Sequence, residues 1–537
     1  MSADLVLFSG RLLDPVSGRF LPQTALAAAG GRITRLGDDR EIRALAGPAT
    51  TVIDLRGAVV TPGLVDGHLH PVSGAERTGG VDLSGCTELT AVREALAQEL
   101  RTLAPGDWLR GWGLDPNVFG GGPVGAAALG PVLAQVPAAL DLFDGHSMLV
   151  SPRALELAGI DGPRRFEQAA EIVCDAGGRP TGLLLEDAAC ELVEAVAPKP
   201  TAAELHQRSA ALLRAMAASG LTGGHAMDGE GLAGYAALEA DDALGLRFRI
   251  APRCQPGADA DAVAELIRLQ GTGGRLWQVA GVKLFMDGTI DNGTAWLEHA
   301  DCHGESTHAF WPDPDAYTRV IGELHRAGVP TATHAIGDAA VRHVLDSIEK
   351  AAADGAPVRH RVEHIETVPD DTVHRFARLG VTASMQPTHC CEYTRADHTD
   401  NWSRRLGEER AARAWRCRDL WESGARVVLG SDWPIAPYPP LGVMAGARHR
   451  RPSRDLTEPP HGIDQALSPL RALQGMTVNP AWAAGEEGIA GRLAVGYRAD
   501  LTVLADDPLT VPDTDLAELP VLLTVVDGRP THRDPAI

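Results

Sequence analysis

The run Val59-Val60-Thr61-Pro62-Gly63-Leu64-Val65-Asp66-Gly67-His68-Leu69-His70 is apolar and β-branched, and it ends in two histidines one residue apart. On a strand, residues i and i+2 point to the same face, so His68 and His70 can grip one metal ion together. Alone, such a pair is more often two partly exposed histidines, and the rest of the chain must decide. Further short apolar runs end in Lys283, His334, His364 and Asp432. Four imidazoles and a carboxylate match the nitrogen and oxygen ligands preferred by zinc and similar divalent ions. Lys283 interrupts the apolar run Val282-Lys283-Leu284-Phe285-Met286, and a buried ammonium is costly unless paired or chemically altered. Two readings stay open for it. One is an ion pair with Asp287 or Asp432; the other is a carbamate, formed with carbon dioxide, whose two oxygens bridge two metals.

The elements that would position these residues follow a βα rhythm. After the run ending at His70 come apolar segments at 221–225, 248–251, 279–285, 329–334, 361–364, 381–385 and 426–432. Amphipathic stretches lie between most of them, for example 202–219, 338–353 and 406–423. Eight such strands predict an α/β fold, a (β/α)8 barrel, with the active site at the C-terminal strand ends. The interval from about 71 to 199 is too long for one connection and reads as an insertion after the first strand, with a hairpin turning at Gly177-Gly178. Short strands with glycine turns fill both ends of the chain and predict one small β-sandwich domain built from 1–58 and 488–537, around a central unit over 59–487.

The 537 residues carry a formal net charge of -22, which argues against nucleic acid or an anionic membrane surface as partner. Arg448-His449-Arg450-Arg451 is too short a basic patch to change that. Eight cysteines without C-x-x-C spacing do not form a secreted disulfide framework, and adjacent Cys390 and Cys391 read as buried thiols. No run approaches the roughly 20 apolar residues of a membrane span, and no signal peptide is evident, so a cytoplasmic protein is expected.

The motifs Pro62-Gly63-Leu64-Val65-Asp66-Gly67-His68-Leu69-His70, Val282-Lys283-Leu284-Phe285-Met286-Asp287-Gly288-Thr289, Thr333-His334-Ala335-Ile336-Gly337-Asp338, Arg361-Val362-Glu363-His364 and Gly430-Ser431-Asp432-Trp433-Pro434 resemble the amidohydrolase superfamily. Within it, the branch similar to N-substituted formamide deformylases fits best, and the likeness extends to Asp144-Gly145-His146-Ser147 in the insertion. The resemblance implies one or two divalent metals, zinc foremost. His68, His70 and Asp432 would hold one, His334 and His364 a second, and a carboxylated Lys283 would lie between them. Val150-Ser151-Pro152 and His225 depart from the branch pattern where a substrate pocket is expected.

The chemistry implied is hydrolysis of a non-peptide C–N bond in a small amide, most readily an N-substituted formamide. Metal-bound hydroxide would attack the carbonyl carbon, with Asp432 as acid and base. His146 is a candidate hydrogen-bond donor to the substrate, and Trp112 and Asn117 are candidate pocket walls. Asp338 is read either as a helix cap or as a support for a ligand, and Glu363 is expected to face away from His364 and pair with Arg361 or another cation. A cyclic amide or imide ring-opening hydrolase and a non-catalytic small-molecule-binding barrel are the alternatives. A small-molecule amide is the expected partner, and a homodimer stays open beside a monomer.

Overall fold

The computed structural model describes residues 2–134, 136–166, 170–228, 231–353, 355–453 and 455–537. The chain ends form two sheets. One has four strands, Ala3–Phe8, Ala25–Ala29, Arg32–Gly37 and Ala46–Asp54; the other has six, Arg11–Asp14, Arg19–Phe20, Val59–Pro62, Leu501–Leu504, Val521–Val526 and Arg529–Arg533. Alternation sends Leu5, Leu7, Leu26 and Ile53 of the first sheet and Leu12, Val60, Leu501 and Leu523 of the second into one hydrophobic cluster. Val59–Pro62 lies between Arg11–Asp14 and Leu501–Leu504, so both chain ends share a sheet.

The run expected as one strand from 59 to 70 is therefore divided. Val59–Pro62 belongs to the terminal sheet, and Leu64–Leu69 begins the central parallel strands. Gly63 makes the crossing, where a Cβ would lie 2.1 Å from Thr222 Oγ1.

The central strands form two parallel arcs. The first holds Leu64–Leu69, Leu221–Ala226, Arg247–Ile250 and Trp277–Val279; the second holds Val282–Phe285, Thr331–Ala335, Arg361–His364, Thr382–Met385 and Val427–Leu429. All eight expected strand segments are present, but the fourth is broken at Gly281, whose φ of +136° leaves the extended region. One closed ladder was expected, and two sheets are found. Backbone hydrogen bonds bridge them at one seam, from Lys283 N to Pro252 O (2.9 Å) and Cys254 N to Lys283 O (2.8 Å), and at the other from Asp432 N to His68 O (2.7 Å) and His70 N to Trp433 O (2.9 Å). At that second seam Gly67 allows close approach, since a Cβ there would sit 2.1 Å from Val428 Cγ1.

Helices cover the arcs. Ala202–Ala218 opens with a capping box between Thr201 and Glu204 and buries Leu213 and Met216, while Asp338–Ala352 buries Val341, Val344, Leu345 and Ile348. The helix expected over 406–423 is instead three short ones, Asn401–Leu406, Glu408–Ala411 and Cys417–Glu422. Gly407, at φ +80°, turns the chain, and Trp415 folds back to stack on Trp402 with ring centroids 4.5 Å apart. Burial of two indoles outweighs continuing one helix.

The insertion forms its own six-stranded sheet, Val81–Asp82, Leu109–Leu114, Ala138–Leu142, Ser147–Val150, Glu171–Cys174 and Pro180–Leu185, including the expected hairpin. Cys390 and Cys391 are buried free thiols. Arg448 and Arg450 are buried too, bonded to the backbone carbonyls of Pro508 and His461, so the basic run is no surface patch. No helix among the described residues is long and apolar enough to cross a membrane.

Candidate active site

The strand ends deliver their polar residues to one place. His70, His68, His364 and His334 stand in a row of rings, with successive centroids 5.4, 4.9 and 4.5 Å apart. Asp432 sits against the row. Its Oδ1 lies 3.3 Å from His68 Nε2 and 3.1 Å from His70 Nε2, and its Oδ2 lies 3.7 Å from His364 Nδ1 and 3.7 Å from His389 Nε2. Both Asp432 and His364 adopt positive φ, 60° and 73°, a strained conformation for such residues.

One ligand atom each from His68, His364 and Asp432 lie within 4.8 Å of one another. Among the described residues, His68 Nε2 and His389 Nε2 are buried without a hydrogen-bond partner, a costly state unless something else binds there. Burial holds the imidazoles of His70, His334 and His364 below their ordinary pKa, with neighbouring positive groups adding to the effect at His334 and His364. Burial pushes the other way at Asp432, but the surrounding histidines outweigh it and hold the carboxyl well below the usual range. Neutral imidazoles around an ionised carboxylate are what a divalent cation requires, and the donor set fits one. His70 and His334 flank the compact trio, with His334 Nε2 3.1 Å from Gly288 O.

Lys283 is 1% exposed, and its ammonium makes no ion pair among the described residues; it lies 4.8 Å from the Phe285 ring centroid. Burial brings its pKa down to about 8 against the pull of Glu363 and Asp432. Asp287, one expected partner, is engaged elsewhere, accepting the backbone N–H groups of Trp296, Ile336 and Gly337.

The six strand-end residues and His146 line a single cavity of about 1070 Å³. His146 comes from the insertion, and its Nδ1 lies 2.8 Å from Glu186 Oε2. Burial disfavours its charged form, yet Glu186 outweighs burial and raises the imidazole to about 9. Trp112 and Asn117 do not line the cavity. Trp112 belongs to the insertion strand Leu109–Leu114, and Asn117 fastens a loop, its Oδ1 accepting Asn401 N at 2.9 Å. The two departures from the branch pattern also lie elsewhere. His225 faces the strand interior, 2.6 Å from Arg361, and Ser151 caps the helix Pro152–Leu157.

Glu363 differs from expectation and matters most among the residues not foreseen here. It pairs with Arg361 Nε at 2.5 Å, as expected, but its other oxygen lies 2.6 Å from His68 Nδ1. The extended conformation ends at His364, so alternation fails there and adjacent residues both reach the site. A carboxylate on the far nitrogen fixes the ring and its tautomer. Two charged residues inside the buried strand Arg361–His364 were the available signal. His389, on the helix Pro387–Tyr393, carried none. Asp338 is the first residue of its helix, with Gly337 at the cap position; its Oδ1 accepts the first-turn Ala339 N at 3.0 Å and also Glu298 N at 2.8 Å, which anchors a loop.

Residues 51–532 match the amidohydrolase family model. The protein YtcJ of Bacillus subtilis (strain 168) is 30% identical over 493 residues, 90% of each chain. The N-substituted formamide deformylase of Arthrobacter pascens is 27% identical over 527 residues, 94% of each chain. A solved structure, an uncharacterized metal-dependent hydrolase from Pyrococcus horikoshii OT3, superposes with a TM-score of 0.71 at 23% identity, covering 95% of this chain and 99% of that one. The strand ends, the ligand set and a match over nearly the whole sequence agree: the chain belongs to the amidohydrolase family, hydrolases of carbon–nitrogen bonds.

Proposed function

We propose that this enzyme hydrolyses a non-peptide amide, an N-substituted formamide, with zinc as its metal. The observation that carries the reading is the Asp432 carboxylate, set 3.1–3.7 Å from four imidazoles on the cavity wall. The relative from Arthrobacter pascens supports the substrate. In this reading the two arcs, from Leu64 onward, act as one eight-stranded barrel, and the terminal segments 1–58 and 488–537, together with Val59–Pro62, form a β-sandwich. The free cysteines suit a reducing, cytoplasmic compartment.

His68, His70, His364 and Asp432 would hold one ion, with His334 and a carboxylated Lys283 available for a second. A divalent ion supplies a Lewis acid and acidifies water when bound. Asp432 takes a proton from the attacking water and returns it to the departing nitrogen, which cannot leave as an amide anion. Glu363 keeps the His68 ring in place during both steps. His146, held by Glu186, donates a hydrogen bond to the carbonyl oxygen as charge develops there.

Zinc-reconstituted protein assayed against formamides, acetamides and cyclic amides tests the reading. Formate plus an amine is expected. A single ring-opened product would replace it with a cyclic amide hydrolase, and retention of every amide unchanged would leave a binding barrel. Native mass measurement alongside metal analysis tests Lys283: one metal and no added carbon dioxide excludes the bridged site.

A further inference from the structure

The cavity is far larger than a reacting formamide needs. At about 30 Å³ per heavy atom, the share a water molecule takes in the liquid, N-methylformamide occupies on the order of 100 Å³. The space is about 1070 Å³, at the upper end of what encloses a drug-sized ligand.

The surplus lies away from the strand ends. There the wall comes from the insertion and the helix Ala202–Ala218, and it includes Leu103, Trp108, Pro198 and Leu205. Trp108 is half-buried, packed against the cluster of Met148, Val150 and Leu184 while lining the cavity. Between the two sections stand fixed polar contacts. Arg77 donates to Gly145 O at 2.6 Å, beside His146, and Arg253 pairs with Asp187 at 2.5 Å.

Charge gives the outer section a preference. Glu76, Glu99, Asp141 and Glu191 line it and make no ion pair among the described residues, against Arg77, Lys199 and Arg208 in the same condition, with Asp141 facing Arg77 and Arg110. The chain as a whole carries a formal charge of -22, and a cleft in such a field concentrates cations and repels anions. An indole beside carboxylates is a suitable seat for an ammonium group.

We infer that the substrate is an elongated amide whose amine side runs past Arg77 to Trp108 and ends in a positive charge. This rests on the formamide reading, because a formyl group has only hydrogen on its acyl side and the amine must fill the volume. The apolar stem lies along Leu103 and Leu205, and the terminal cation meets Trp108 and the unpaired carboxylates.

The test compares N-methylformamide, N-(6-aminohexyl)formamide and N-(5-carboxypentyl)formamide on zinc-loaded enzyme. The aminohexyl compound is expected to exceed the methyl compound at least 100-fold in kcat/KM and the carboxypentyl compound at least tenfold. Trp108→Ala is expected to cut the aminohexyl-to-methyl ratio at least fivefold. Equal kcat/KM for the three, or preference for the carboxylate, overturns the inference. Hydrolysis of none of them defeats the formamide reading instead. Calorimetry then decides the channel separately: 1,6-diaminohexane binding at least tenfold more tightly than methylamine supports it, and equal affinity overturns it.

Discussion

The two ends of the parallel strands treat buried polar groups in opposite ways. At the starting ends, each charge has its counter-charge: Arg247 pairs with Asp500 at 2.7 Å, and Glu486 takes both Arg498, at 2.6 Å, and Arg249. The space left among them is only about 50 Å³. At the finishing ends, four imidazoles crowd one carboxylate, two buried ring nitrogens have no partner among the described residues, and His364 and Asp432 sit at positive φ. Saturated groups hold a fold together, whereas unsatisfied ones wait for a ligand. Glu363 belongs to both kinds, with both oxygens on the Arg361 guanidinium and one of them also on His68.

The contrast can be broken most severely at the finishing ends. Asp432→Asn is expected to lower kcat by about 10³-fold or more, on the order of 4 kcal/mol, measured by steady-state kinetics with metal content determined in parallel. Full turnover with metal bound would refute the acid–base role.

At the starting ends the loss should appear in stability. Glu486→Gln leaves two arginines without their carboxylate, and denaturant unfolding at neutral pH should show a cost of about 3 kcal/mol. The same carboxyl carries a pH signature. Burial would raise its pKa, but Arg498 and Arg249 outweigh it and bring the folded value to about 2, below the ordinary 4.5. A depressed folded value means that the stabilisation is complete above pH 4.5 and is lost as pH falls toward 2. Wild type should lose its advantage over the Gln variant across that window, and a constant difference would contradict the assignment.

Glu363→Gln probes the residue shared by both ends. Competition with a chelator should show metal affinity weakened about 10- to 100-fold. An unchanged affinity would remove Glu363 from the support of His68. The smallest effect is expected on the outer surface, where Arg11 and Asp506 meet at 3.0 Å with side chains 42% and 66% exposed. Asp506→Asn should change unfolding stability by less than about 0.5 kcal/mol.

Much of the site was legible because its residues break a pattern. His68, His70, Lys283, His334, His364 and Asp432 each interrupt or end an apolar run, and the strands under them are short enough for the βα rhythm to show. Other contributors interrupt nothing. His389 lies on a short helix after the seventh strand segment, and Glu186 lies in the insertion, where no strand count predicts what faces the mouth. The second contact of Glu363 depends on the backbone angle at His364, which no side-chain pattern encodes. The division of the fourth strand at Gly281 is local, but its result, two sheets bridged at their seams, is a property of the assembled set. Trp112 was a reasonable pocket candidate by residue type, and the sheet of the insertion places it away from the cavity.

The division of one extended run at Gly63 has a temporal meaning. Val59–Pro62, the root of the strand bearing His68 and His70, pairs with Leu501–Leu504, a segment made after every one of the candidate ligands. A ribosome will have released every metal-ligating side chain before the ladder that anchors the first of them can be completed. Contacts so distant along the chain form late, so the capacity to bind metal tightly should mature only once the last strands have docked.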